Sequence, residues 1–242
     1  QAAWARRAED AKDEAARRAV RAALVSSLPS NQRADGTPDV RLLFSSARHG
    51  GSLAALLRAA DGHTATALHA CARTDGRAAP RQFGAYVGAP WCRAGRWWGS
   101  ADCFLFRAAP TPATWHATGA DDHYAHASVG RGVGFGGEIG DGTADPGGFG
   151  LWLSADLGTA RVLPSRTYGD ACAMALAEPG AEFAVEWVRL WGLRTEADEP
   201  PRRRAGGGAA GSGWPDDADA DTSVLDPGPN KLMLEFIGMG RE

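Results

Sequence analysis

Three histidines and two aspartates in one short stretch are the side chains of this sequence best suited to binding a metal ion. His116, His123 and His126 flank Asp121 and Asp122. Imidazole and carboxylate groups are common zinc ligands, but their spacing must bring them to one point. In a strand-like segment, residues three apart point to opposite faces of the sheet, as His123 and His126 would. The pattern therefore predicts a polar turn that leads into a strand, and no metal site.

Four cysteines could supply a nucleophile or a redox-active thiol. Cys71, Cys92, Cys103 and Cys172 form no C-x-x-C pair, which is typical of reduced thiols in the cytoplasm. His69 and Cys71 share one face of a predicted strand but stand about 7 Å apart there, beyond hydrogen-bonding reach. We therefore predict that the protein is not an enzyme, and rank thiol-based oxidant defence third among the functional hypotheses.

A glycine-rich segment raises the question of nucleotide binding. The sequence GVGFGG, residues 132–137, has the spacing G-x-G-x-x-G. A dinucleotide-binding loop must lead into a helix whose N-terminal amides hold the pyrophosphate. The following residues, EIGDGTADPGG, cannot begin a helix, and FGLWL after them is strand-like. We predict glycine-rich strand ends around a turn, and no cofactor.

The elements that must position these side chains are mainly short strands. RLLFS, TATALHACAR, QFGAYVG, CFLFR, TWHAT, YAHASVG, FGLWL, ARVL and FAVEWVRLWGL are strand-like, and polar or glycine-containing turns separate them. SLAALLRAADG has helical spacing, with Ser52 as N-cap and Gly62 beyond the end. The fold class predicted is α+β, mainly β, with two antiparallel sheets forming a β-sandwich flanked by helices.

Composition divides the chain into five parts. Residues 1–29 predict an alanine-rich helix, either solvated or docked on the domain, with a partner-binding helix as the alternative. Residues 30–39 read as a linker, residues 40–193 as the domain, and residues 194–222 as a disordered tether. Residues 223–242 form an apolar C-terminal segment, which must bury its side chains on the domain or in a partner.

Charge and hydropathy exclude two classes of function. The formal net charge of -3 gives no basic field for coating a nucleic acid. No apolar run reaches the ~20 residues of a membrane-spanning helix. We therefore expect a cytoplasmic protein whose partners are other proteins.

Five separated motifs resemble the TLDc domain family in content and in order. They are LLFSSARHGGSLAALL, FGAYVGAPW, GSADCFLFR, the glycine-rich run with FGLWL, and EWVRLWGL, together covering residues 40–193. The tail SVLDPGPNKLMLEFIGMGRE is similar to the branch of the family associated with mTOR signalling at lysosomes. The resemblance implies a β-sandwich without established catalytic activity, resistance to oxidative stress, and binding to the V1 sector of the vacuolar proton-pumping ATPase (V-ATPase). It also implies a peripheral location on lysosome or vacuole membranes.

Three features depart from the family pattern. Arg189 stands where the final strand usually carries an acidic residue, and Asp102 replaces a glutamate. Residues 140–147 are inserted into a turn that is usually tight. A reversed charge at Arg189 predicts that the partner-binding surface has changed its target.

The candidate interface combines aromatic, charged and apolar side chains. Trp97 and Trp98 are adjacent, so on a strand they face opposite ways, and an exposed tryptophan is a candidate interface anchor. The full set is Trp97, Trp98, Arg189, Leu232, Leu234, Phe236 and Ile237. Our leading hypothesis is a non-catalytic TLDc adaptor that binds and regulates the V-ATPase. The alternative is a structural subunit of a large assembly, such as a ciliary axoneme or a cytoskeletal complex.

Overall fold

The computed structural model describes residues 2–28, 38–73, 79–93, 95–137, 148–170, 174 and 178–193, all within the compact unit Gln1–Pro201. The helices are α1 (Ala2–Leu24), α2 (Ser46–His49) and α3 (Leu53–Ala59). The strands are β1 (Val40–Ser45), β2 (Thr66–Ala72), β3 (Arg81–Val87), β4 (Trp97–Trp98), β5 (Phe104–Ala109), β6 (Ala113–His116), β7 (Ala125–Ser128), β8 (Gly132–Phe135), β9 (Leu151–Leu153), β10 (Thr159–Val162) and β11 (Glu182–Leu193).

Two antiparallel sheets share the long strand β11. The first half of β11 pairs with β10 and continues the order β10-β9-β8-β7-β4, which we call the second sheet. Its later half pairs with β1 on one side and β2 on the other, and the first sheet continues through β3 and β5 to β6. A bulge between Val185 and Trp187 marks the crossing from one sheet to the other. Bulges bend a strand and increase its twist, which allows one strand to serve both sheets.

The inner faces of the two sheets enclose the main apolar core. Leu68, Phe83 and Leu105 of the first sheet join the same buried cluster as Val133 and Leu151 of the second. Helix α3 closes this core with its apolar stripe Leu53, Leu56 and Leu57. The predicted fold class, a two-sheet β-sandwich flanked by helices, is confirmed.

Helix α1 covers the outer face of the first sheet. Strand alternation turns Tyr86, Phe104 and Trp191 away from the main core and towards α1, where they form a second buried cluster. The helix contributes Val20 and Leu24 to that cluster. The first sheet is therefore buried on both faces, which explains why all seven residues of β2 are buried.

Several local predictions are confirmed in detail. TATALHACAR and QFGAYVG form the hairpin β2–β3 with an antiparallel register from Thr66↔Val87 to Ala72↔Arg81. The glycine-rich GVGF forms β8 between β7 and β9. Ser52 precedes α3, and its carbonyl, rather than its hydroxyl, accepts hydrogen bonds from Ala55 and Leu56. The short helix α2 has no counterpart in the sequence-based prediction.

Among the described residues, no helix combines the length and the apolar character that a membrane crossing requires.

Candidate functional site

Arg189 is a buried charge on the sheet face that α1 covers. Its Nε donates a hydrogen bond to Oδ1 of Asp13 at 2.6 Å, and its Nη2 donates to Oε1 of Glu9 at 3.2 Å. The guanidinium carbon lies 4.1 Å from the centroid of the Trp187 ring. The side chain of Arg189 is 1% exposed and that of Asp13 is 10% exposed. Two carboxylates and an aromatic face thus replace water around the cation.

A second arginine holds the outer side of the same aspartate. Arg48 Nη2 donates hydrogen bonds to Asp13 and, at 2.7 Å, to Oδ1 of Asp10. The hydrogen bond with Asp10 is the largest cause of a raised pKa for Arg48, and attraction to Asp13 adds to it. Asp13 therefore joins a buried guanidinium on β11 to a partly exposed one on α2, and both fix α1.

His69 lies beside this cluster as a neutral aromatic ring. Burial, and after it the charge of Arg189, lowers the pKa of His69 to about 3. Its ring meets the edge of Trp187 with 5.0 Å between centroids. An imidazole with this pKa is neutral near pH 7 and is enclosed by the fold, so it is not placed to act as a general acid or base.

A groove of about 450 Å³ opens beside the cluster, between α1 and β1. Its charged walls are largely paired: Arg17 donates to Asp39 Oδ1 at 3.2 Å and to the Val40 carbonyl at 3.0 Å. Carboxylates that already bind arginines are poorly placed to activate a substrate. The arrangement is suited to recognising carboxylates by arginine, and not to acid–base catalysis.

The acidic partners of Arg189 were not predicted from the sequence. On α1, Glu9, Asp13, Ala16, Val20 and Leu24 follow one another at helical spacing, so the two carboxylates extend the buried apolar stripe towards the N-terminus. That continuity was visible in the sequence. A carboxylate in line with a buried stripe indicates a buried cation opposite it.

The predicted interface residue Arg189 therefore faces a helix of its own chain. A partner can reach its guanidinium only when α1 moves away. The apolar candidates Leu232, Leu234, Phe236 and Ile237 lie outside the described residues, as do the inserted residues 140–147.

The other two candidates, Trp97 and Trp98, form the edge strand β4 and are each half-buried. Trp98 packs against the main core and lies 5.3 Å from the Trp91 ring. Trp97 contacts His126 and Phe149, at 5.5 and 5.4 Å between ring centroids. The two indoles thus make different contacts, and both keep part of their surface accessible at the edge of the second sheet.

The histidine-rich stretch forms a structured turn. Asp121 Oδ1 accepts hydrogen bonds from the backbone amide of His123 and, at 2.7 Å, from the hydroxyl of Thr167. His126 pairs across the sheet with Trp97, whereas His116 lies on β6 of the first sheet. Among the described residues, no group of three His, Cys, Asp or Glu side chains could hold a metal ion.

The environment of two cysteines disfavours the thiolate. Burial raises the pKa of Cys71 to about 11, with the charge of Glu186 adding to the effect. Burial also raises the pKa of Cys103. Thiols act as nucleophiles and scavengers through their thiolate form, so these two positions gain no reactivity from the fold.

Comparison with known proteins gives one family and a consistent set of relatives. The model of the TLDc domain matches residues 16–194. The chain is 30% identical over 176 residues to the MTOR-associated protein MEAK7 of Danio rerio. The aligned region covers 68% of this chain and 36% of that protein. The proteins of the same name from Homo sapiens and Mus musculus are 28% and 29% identical, each covering 83% of this chain and 39% of their own length. The chain thus spans well under half the length of these relatives.

Proposed function

Because this chain belongs to the TLDc domain family, we propose that it is a non-catalytic adaptor that binds the V1 sector of the V-ATPase and connects it to mTOR signalling. The observation that carries the proposal is the family match over residues 16–194, together with three relatives named as mTOR-associated. An adaptor of this kind would work at the surface of lysosomes or vacuoles. Its contribution to oxidative-stress resistance would be indirect, through the proton pump.

The chemistry of the described residues supports binding rather than catalysis. Arg189 and Asp13 neutralise each other inside the fold, and His69 is a neutral buried ring. Cys71 and Cys103 have raised pKa values. These groups belong to the interior of the sandwich and its contact with α1. The protein would therefore act through its shape and its surface side chains.

The proposed contact surface includes the β4 edge and the C-terminal segment. Trp97 and Trp98 combine large contact area with restricted rotamers, which is typical of interface anchors. The apolar side chains of residues 223–242 would bind a groove on the partner. The edge strand β4 and the apolar C-terminal segment would together bind a large assembly at two points.

Affinity capture from a lysate that contains intact V-ATPase tests this proposal. The full 242-residue chain, immobilised through a tag, should recover V1 subunits identifiable by mass spectrometry, at both low and high salt. Recovery of no V1 subunit under either condition would overturn the proposal. A structural subunit of an axoneme or cytoskeletal complex would instead co-fractionate only with that assembly.

A truncated chain tests whether the C-terminal segment contributes to this binding. Deletion of residues 223–242 should weaken recovery of V1 while leaving the thermal unfolding midpoint unchanged. If the deletion unfolds the sandwich, the segment completes the core of the domain and is not a partner-binding element.

A further inference from the structure

Helix α1 is attached to the sandwich in two different ways along its length. From Ala16 onwards its buried side chains are apolar and belong to the cluster beneath the helix: Ala16, Val20, Ala23, Leu24 and, past the helix end, Leu28. Residues 4–15 all have described side chains, and of these Asp13 alone is buried. We call residues 4–15 the arm and residues 16–28 the anchor. Apolar burial holds the anchor, whereas charge holds the arm.

The arm makes its contacts through three carboxylates. Glu9 and Asp13 bind Arg189, and Asp10 and Asp13 bind Arg48. The largest apolar side chain of the arm, Trp4, is 76% exposed. The arm therefore contributes almost nothing to the apolar core, and its position depends on the two arginines.

Beneath the arm lies a site suited to an acidic helix. We define the acidic-helix site as Arg189 with the aromatic side chains Trp187 and His69. Nη1 of Arg189 is buried without a hydrogen-bond partner, so the guanidinium has a donor to spare. Glu9 and Asp13 stand one helical turn apart, and both reach this one guanidinium. This geometry fits a helix that carries two carboxylates four residues apart.

We propose that the arm is a releasable cover, and that the acidic-helix site beneath it binds an acidic helix of a partner protein when the arm leaves. The arm occupies within the chain the place that the partner's helix takes. The family match begins at residue 16, at the junction of arm and anchor. The anchor thus belongs to the matched domain, while the arm lies outside it.

The difference between arm and anchor makes partial release feasible. When the arm leaves, Arg189, Glu9 and Asp13 regain water together, so no charge stays buried without a partner. A competing helix that supplies two carboxylates restores the same contacts. Release of the anchor would expose Val20 and Leu24 to water, and nothing in solution compensates for that loss. The arm can therefore exchange while the anchor stays in place.

Hydrogen–deuterium exchange on the full 242-residue chain tests the independence of the arm. Asp13→Asn should accelerate amide exchange in residues 4–15 by about tenfold, because it removes the central contact, and leave residues 17–24 unchanged. Glu14→Gln is the matched control, since Glu14 is half-exposed and its carboxylate lies 3.8 Å from Arg17. It should change exchange in the arm less than about twofold. The proposal is overturned if Asp13→Asn has no effect, or if it accelerates the anchor and the sheet equally.

Binding of a helical probe tests the site itself. The probe is a fluorescent, hydrocarbon-stapled peptide with the sequence of residues 4–15, stapled because so short a helix is unstable alone. It should bind the Asp13→Asn chain about tenfold more tightly than the original chain, in which the arm competes. A probe that carries Glu9→Gln and Asp13→Asn should bind neither of the two chains. Equal binding of both probes, or equal affinity for both chains, would contradict the proposal. The test uses only this chain and a peptide, so its outcome is independent of V1 recovery.

Discussion

At the scale of single residues, Arg189 shows how strand alternation and helix docking together decide the role of a charge. Val188 and Leu190 point into the sandwich, which forces Arg189 onto the opposite face. Because α1 covers that face, the cation is buried against Asp13 and Glu9. The positive charge of Arg189 is thus matched within the chain by two carboxylates of α1.

The lowered pKa of His69 predicts that the free energy of unfolding depends on pH. Its pKa is about 3 in the folded chain, against an ordinary value of 6.5. The neutral ring is favoured by folding, so its contribution is complete above pH 6.5 and is lost as the pH falls from 6.5 towards 3. In that window the unfolded chain binds one more proton, which costs the folded state about 1 kcal/mol per pH unit.

Urea unfolding between pH 7 and pH 4 measures this effect. The free energy of unfolding should fall less steeply with decreasing pH in His69→Asn than in the original chain. His116→Asn, at an exposed position, should keep the original slope. Equal slopes for His69→Asn and the original chain would show that His69 takes up its proton in the folded state.

The close packing around Gly134 in β8 predicts that no larger side chain fits there without disturbing its neighbours. A Cβ at this position would lie 2.2 Å from Cδ1 of Phe149, a ring that is itself buried. Gly134→Ala should therefore lower the free energy of unfolding by about 1–3 kcal/mol, measured by urea denaturation. Gly130→Ala is the control, because a Cβ there meets nothing within 4 Å. If the two substitutions cost the same, Phe149 moves aside freely.

At the scale of elements, α1 and β11 determine how the layers are joined. β11 belongs to both sheets, and its bulge near Trp187 coincides with the change from one to the other. α1 adds a third layer over the first sheet, with an apolar anchor and a charged arm. Thus one strand joins the sheets covalently, and one helix covers the face that would otherwise expose Trp191.

Burial in the anchor of α1 predicts that truncating two adjacent side chains, Leu24 and Val25, will have very different effects on the free energy of unfolding. Leu24 is fully buried at the end of α1, whereas Val25 is 37% exposed. Leu24→Ala should lower the free energy of unfolding by about 2–5 kcal/mol, because it leaves a cavity beneath the helix. Val25→Ala should change it by less than about 0.5 kcal/mol. A small loss for Leu24→Ala, measured by urea denaturation, would mean that the anchor is not part of the cooperative fold.

At the scale of the whole molecule, the sandwich has one main core shared by both sheets. Leu151 of β9 and Leu68 of β2 belong to the same buried cluster although they lie in different sheets. β11 supplies a continuous backbone between them. Both features favour cooperative unfolding of the described domain.

Cooperative unfolding can be tested by a substitution in one sheet and a measurement in the other. Leu151→Ala in the second sheet should lower the free energy of unfolding, read from amide exchange in β2 of the first sheet, by about 2–5 kcal/mol. Residues 104–106 of β5 provide a second reading in the first sheet. Unchanged exchange in β2 and β5, with faster exchange confined to the second sheet, would show that the two sheets unfold separately.

The sequence predicted strands more successfully than partners of charged residues. The β2–β3 hairpin follows from two apolar segments and a polar turn between them, so local information was sufficient. The Arg189–Asp13 pair joins residues 176 positions apart, and no local pattern connects them. Likewise, adjacency shows that Trp97 and Trp98 face opposite ways, but only tertiary contacts place His126 and Phe149 against Trp97.

The sequence alone was enough to predict α1, α3, most of the strands and the fold class, because periodicity and turn residues are properties of neighbouring residues. The order of five motifs indicated the family. It also predicted the strands that contain GVGF and LWL, on either side of the inserted residues. Tertiary contacts place α1 over the first sheet, bring Arg189 beneath the carboxylates of α1, and keep the ring of His69 neutral. The reason is physical: burial and electrostatic pairing depend on which surfaces meet in space, and distant segments of the chain supply those surfaces.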